Sequence, residues 1–187
     1  MRVTGALLVG GESRRFGGPK ALARLNGETL AERGWRVLGE VFDERLAVGK
    51  TADGLPLPFP VLDDGSDVRA PIAGVVAALR AAANDICVVL PVDCPLIPAS
   101  VLRSLAEACA DAAVPPTGPL PGAYRRSALT ALESRLQRGR LALREALREL
   151  ATVTVAVDEP LLLNVNTPDD LEAVRALTSA APDAPSA

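Results

Sequence analysis

Apolar positions in this chain take two alternating forms: short uninterrupted runs, and longer stretches in which they recur every three or four residues. Val3 to Val9 is an uninterrupted run ending at Gly10 and Gly11, the pattern of a strand buried on both faces. Thr29 and Glu32 stand at capping-box spacing, and Leu30, Gly34, Val37, Leu38 and Val41 follow at helical intervals, so a helix is expected from this point. Arg45 to Val48 suits a second short strand, and the proline-rich connector Leu55 to Pro60 leads through Val61 and Leu62 to Asp63 and Asp64. Pro71 opens another helix with Ile72, Val75, Val76 and Leu79 on its apolar face. Ile86 to Val92 is the clearest buried strand and halts at Asp93-Cys94-Pro95; a helix with Val101, Leu102, Leu105 and Cys109 inward is expected over about Ala99 to Ala110.

The second half is less regular. Val114 to Gly122 is rich in proline and glycine, Ala123 to Arg126 suits a short strand, and helices carrying Leu129, Leu132 and Leu136, then Leu143, Leu147 and Leu150, flank Gly139. Val153 to Val157 reads as a further strand. In LLLNVNTPDDLEAV, Thr167 is placed to cap a helix, with Pro168 at its first position and Asp170 completing a capping box. Strands alternating with helices predict an α/β class protein, a three-layer α/β/α sandwich with a mainly parallel sheet. Residues 1–177 are expected to form one domain and the low-complexity stretch 178–187 a disordered tail.

Composition narrows the chemistry. Apolar residues make up 49% of the 187 positions and aromatic ones 3%, so the core should be packed mainly from Leu, Val and Ala. A net charge of -3 leaves no polybasic footprint for nucleic acid. Glu12, Arg14 and Arg15 interrupt the one early apolar run, and no stretch approaches the roughly eighteen apolar residues of a membrane span; a cytoplasmic protein is the expectation. Cys87, Cys94 and Cys109 form no C-x-x-C pair and are odd in number, which suggests neither a disulfide frame nor a zinc site. The chain has no histidine. Any catalysis must therefore use carboxylates, lysine, arginine or a bound metal.

The stretch LLVGGESRRFGGPKAL, Leu7 to Leu22, follows the first strand. It fits neither the Walker loop nor the dinucleotide fingerprint, because Lys20 lies between Pro19 and Ala21 and no G-x-G-x-x-G is present. Glycines at a strand end let backbone N–H groups approach an anion, and Arg14, Arg15 and Lys20 add charged donors; a solvated basic turn has the same composition. Asp93, immediately after a buried strand, lies where ligands gather in parallel sheets and reads as a metal ligand or as a turn residue. Asp63 and Asp64 suit a solvated turn equally well. Asn164 and Asn166 alternate along an extended stretch and so point to one side.

These segments together resemble the nucleotidyltransferases of molybdenum-cofactor assembly, and within them the guanylyltransferase family. The loop is similar to L-A-G-G-x-S-x-R-[MF]-G-x-x-K-x-L, DDGSDVRAPIAG to E-D-x-x-x-x-x-G-P-L-A-G, VDCPLIP to C-D-x-P-x-[IL]-P, and NVNTPDDL to N-V-N-T-P-E-D-L, with PGAYRRSAL between the last two. The resemblance implies a Rossmann-like nucleotidyltransferase fold that transfers GMP from GTP to molybdopterin with Mg2+, releasing pyrophosphate. It implies nucleotide contacts for Leu8, Val9, Gly10, Gly11, Lys20, Asp64 and Asp93, with Asp93 as metal ligand. It also implies catalytic roles for Lys20, Asp93 and Arg15, pterin-side contacts for Asn164 and Asn166, and contacts with other cofactor-assembly proteins. Arg125 and Arg126 suit the anionic acceptor by charge. Val9 and Pro19 depart from the pattern, and Leu46 to Gly49 lacks the asparagine often found after the second strand; these changes bear on base preference. Cytidylyl transfer in the same pathway, other small nucleotidyl transfers, and a nucleotide-binding regulatory module without chemistry are the alternatives.

Overall fold

The computed structural model describes residues 2–10 and 16–180. The first strand, β1 (Val3–Leu8), is buried at all six positions, including Thr4, whose hydroxyl donates to the Glu44 carboxylate. A small hairpin, β2 (Arg24–Leu25) with β3 (Glu28–Thr29), leads into α1 (Leu30–Gly39). The capping box forms as expected: Thr29 Oγ1 accepts from Glu32 N, and the Glu32 carboxylate accepts from Thr29 N at 2.9 Å. Strands β4 (Glu44–Gly49) and β5 (Leu62–Asp63) follow, then α2 (Pro71–Ala81), β6 (Ile86–Pro91) and α3 (Ala99–Ala108). The strands and α-helices that follow among the described residues are β7 (Ala112–Val114), β8 (Gly122–Arg125), α4 (Leu129–Gln137), α5 (Leu143–Ala146), β9 (Thr152–Thr154) and α6 (Pro168–Ala180).

Seven strands form one sheet in the order β5-β4-β1-β6-β8-β7-β9. All its pairings are parallel except those made by β8, which runs against both β6 and β7. Side chains alternate across the sheet. Leu7, Val88 and Leu90 pack toward α1, α3 and α6, whereas Ala6, Leu8, Cys87 and Val89 pack toward α2, α4 and α5. The three-layer α/β/α architecture follows from helices covering both faces.

The connector between β4 and α2 is pinned by stacking. Phe59 lies on the Trp35 ring with centroids 4.3 Å apart and planes 13° apart, and the Arg45 guanidinium sits 4.6 Å from the Trp35 centroid. Helix α6 continues through Ala180, three residues past the point where the tail was expected, because its turns carry on unbroken beyond Leu177; residues 181–187 lie outside the described part. Among the described residues, no helix is long and apolar enough to cross a membrane.

Candidate active site

The carboxyl ends of β5, β4, β1 and β6 lie along one edge of the sheet, because these strands are parallel. A cleft of about 300 Å3 runs along that edge, walled by Leu8, Val48, Pro71, Gly74, Pro91 and Leu120 and bearing Lys50, Asp64, Arg69 and Asp93. Its floor depends on two glycines. A Cβ on Gly10 would stand 3.3 Å from Gly49 Cα, and one on Gly49 would stand 2.9 Å from Val9 Cγ2. Glycine at both positions lets the β1 and β4 ends meet and leaves bare backbone facing the cleft.

At the β6 end, Lys20 and Asp93 meet. Lys20 occupies a short 3-10 turn seated by buried Ala21, and its Nζ lies 2.8 Å from Asp93 Oδ2, with side-chain exposures of 13% and 25%. The same Nζ donates to Asn166 Oδ1 at 3.1 Å. The segment preceding α6 is fastened onto this loop, since Val165 N donates to Asp93 O at 2.8 Å and Cys94 Sγ donates to Asn164 Oδ1 at 2.9 Å. Burial, and secondarily the Asp93 charge, push the Cys94 thiol well above its ordinary range, so it remains a protonated donor. Val165 is buried while Asn164 and Asn166 are exposed. The two asparagines thus share the outward side that their alternation predicts.

The helix cap holds that segment in place. Asn166 N and Thr167 N donate to Asp170 Oδ2 at 2.9 and 2.8 Å, and Asp170 N donates to Thr167 Oγ1 at 3.2 Å. The bonds from Asn166 N and from Thr167 lower the Asp170 pKa.

At the β5 end the two aspartates divide their roles. Asp63 accepts from Thr51 Oγ1 at 2.7 Å, Thr51 N at 2.8 Å and Gly65 N at 2.8 Å, and these bonds hold its pKa down at about 2. Asp64 faces the cleft, and its Oδ1 lies 2.6 Å from Lys50 Nζ. A carboxylate with a depressed folded pKa contributes stability that is fully present above its unfolded value of about 4 and is lost as pH falls through the folded value. The difference in melting temperature between the wild type and Asp63→Asn should therefore be full at about pH 5 and shrink toward about pH 2. Thermal unfolding across that range checks it, and a pH-independent difference would contradict the assignment.

The structure brings together Leu8, Gly10, Lys20, Asp64, Asp93, Asn164 and Asn166, with Val9 in an adjoining cavity beside Lys20 and Arg69. Gly11, Arg14 and Arg15 lie outside the described residues. Arg125 does not belong to the site. Because β8 is antiparallel to β6, Arg125 pairs with Ile86 at the opposite end of that strand, and its guanidinium is bound to Asp85 Oδ2, Ala110 O and Cys109 O. Arg126 is likewise held there, by Ala82 O and Asn84 O. Two charged residues of the cleft, Lys50 and Arg69, are not among those the sequence singles out. Lys50 immediately follows β4, where the strand-end rule could have found it, and Arg69, paired with Asp53 at 2.6 Å, had no distinguishing local pattern.

Residues 5–155 match the family described as MobA-like NTP transferase domain. The chain belongs to the MobA-like NTP transferase family. Among curated relatives, a probable molybdenum cofactor guanylyltransferase of Pelotomaculum thermopropionicum is 34% identical over 95% of this chain and 94% of its own length. The crystal structure of molybdopterin-guanine dinucleotide biosynthesis protein A from Archaeoglobus fulgidus is 30% identical, with a TM-score of 0.81 over 95% of this chain and all of that one. The 2-C-methyl-D-erythritol 4-phosphate cytidylyltransferase of Thermus thermophilus shares the fold, with a TM-score of 0.73 at 21% identity over 96% of this chain and all of that one. The MobA-like domain thus spans both ends of the cleft: Lys20, Lys50, Asp64 and Asp93 all fall inside the matched range, and Asn164 and Asn166 lie just beyond it.

Proposed function

We propose that this MobA-like NTP transferase moves GMP from GTP to the terminal phosphate of molybdopterin and releases pyrophosphate. The observation that carries this reading is the meeting of Lys20, Asp93 and Asn166 within 2.8 to 3.1 Å at the Asp93 end of the cleft. The guanylyltransferase and dinucleotide-biosynthesis names of the relatives support the choice of substrates.

A molybdopterin phosphate oxygen forms a bond to the α-phosphorus of GTP while the bond from that phosphorus to the α,β-bridging oxygen breaks and pyrophosphate leaves. With a second phosphate pKa of about 6, the attacking oxygen is already anionic at neutral pH. No general base is required, which suits a chain without histidine. The obstacle is repulsion between two polyanions, and Lys20 offsets it by donating to phosphate oxygens from a fixed position. Asn166, held through its Oδ1 by Lys20, keeps its NH2 group available to donate to the acceptor substrate.

A magnesium ion fits these residues in one specific way. Among the described residues no group of three His, Cys, Asp or Glu side chains could cage a metal, whereas magnesium commonly takes one or two carboxylates together with substrate phosphates. Asp93 would be its protein ligand, and the ion would supply charge neutralisation at the leaving pyrophosphate.

Pyrophosphate release with molybdopterin and Mg2+, compared for GTP, CTP and ATP, tests the reading. Turnover with GTP supports it, preference for CTP replaces it with cytidylyl transfer, and binding without release from any nucleotide makes the protein a regulatory module. Asn166→Ala is expected to raise the KM for molybdopterin about tenfold while leaving the Kd for GTP within about twofold. Calorimetric titration with GTP separates the two effects, and a loss confined to GTP affinity would refute the acceptor assignment.

A further inference from the structure

We propose that Lys50, set against Asp64, selects the base of the incoming nucleotide and favours a 6-oxo purine. This rests on the nucleotidyl-transfer reading of the same cleft and adds a specificity residue to it. Strand β4 lies two positions from β6, and at about 4.8 Å per strand that sets the Lys50 end about 10 Å from the Asp93 end. Such a span suits a nucleoside whose phosphates lie against Lys20 and Asp93. The Lys50 end therefore receives the base.

The pair has one unsatisfied group of each kind. Lys50 Nζ donates to Asp64 Oδ1 at 2.6 Å and also to Ser66 O, and an ammonium carries three N–H groups, so one donor remains. Asp64 Oδ1 also accepts from Ser66 N at 2.9 Å, while Oδ2 has no partner among the described residues. Both side chains are largely shielded, with exposures of 13% and 10%, and Leu8, Val48 and Pro71 form apolar wall beside them. In such a setting a mismatched polar group on the ligand leaves buried donors or acceptors unpaired, which is costly.

Guanine presents its O6 acceptor next to the N1–H donor. The free Lys50 N–H meets O6, a recurrent lysine contact, and Asp64 Oδ2 meets N1–H. Adenine and cytosine place an amino donor where the oxo group would be, and the sugar and phosphates, fixed at the other end, prevent the base from reversing its edge.

Calorimetric titration of the full chain with GTP, ITP, ATP and CTP in Mg2+ tests this, because ITP shares O6 and N1–H with GTP but lacks the 2-amino group. The wild type is expected to bind GTP and ITP at least about tenfold more tightly than ATP or CTP. Lys50→Met should shrink that gap to about threefold or less by weakening GTP and ITP alone, and Lys50→Arg should retain most of it because a cationic donor remains. Equal weakening of all four nucleotides by both variants, an unchanged GTP affinity in Lys50→Met, or a wild type that does not discriminate would each overturn the proposal. The titration needs no acceptor. Failure of pyrophosphate release would thus count against the transfer reaction and leave base selection by Lys50 standing.

Discussion

Asp93→Asn should lower the rate of pyrophosphate release by about 10²–10³-fold while the protein still folds and still binds GTP. The substitution keeps the shape of the side chain, so the loop after β6 retains its Val165 N to Asp93 O bond of 2.8 Å, which is made by the backbone. It removes the negative charge that faces Lys20 at 2.8 Å and that would hold a phosphate-bound cation. The loss should therefore fall on kcat more than on the Kd for GTP. Steady-state rates read beside a thermal melt distinguish the two, since a damaged fold would lower both the melting temperature and GTP binding. Near-normal turnover at saturating Mg2+ would remove Asp93 from the reaction.

Lys20→Ala should weaken GTP binding by roughly ten- to a hundredfold, the range that corresponds to one charge-assisted hydrogen bond of about 1.5–3 kcal/mol. The same variant frees Asp93 and Asn166 from their shared partner, so acceptor use should suffer as well. Two separate measurements are needed. Calorimetry reports the nucleotide, and the KM for molybdopterin reports the acceptor. Lys20→Arg should restore part of the nucleotide affinity but not the acceptor KM, because a guanidinium cannot reproduce a point donor shared by Asp93 and Asn166. Unchanged GTP affinity in Lys20→Ala would take the lysine away from the phosphates.

Much of this site is legible in the chain itself. Asp93 and the loop ending at Lys20 each follow a strand whose largely apolar run, Val3 to Val9 or Ile86 to Val92, can be recognised without knowing its neighbours, and strand ends are where parallel sheets bind ligands. Asn164 and Asn166 are placed by the Thr167 cap, whose signal lies within four residues. Arg125 lies away from the cleft for a different reason. Its strand is legible in the sequence but its direction is not, and direction alone decides whether a residue at a strand's carboxyl end faces the cleft or the opposite edge. Strand β7, only three residues long, has no periodicity to read and exists by pairing with β8 and β9.

By itself the amino-acid sequence determined the α/β class, the main strands, the helix caps and the candidate residues at strand ends, because each rests on interactions between residues a few positions apart. Only the tertiary structure decided which of those candidates meet. Lys20 reaches Asp93 across 73 positions and Asn166 across 146, and Lys50 finds Asp64 only because β4 and β5 pair in parallel. Such contacts are set by sheet order and strand direction, which depend on how the whole core packs and leave no local trace in the chain.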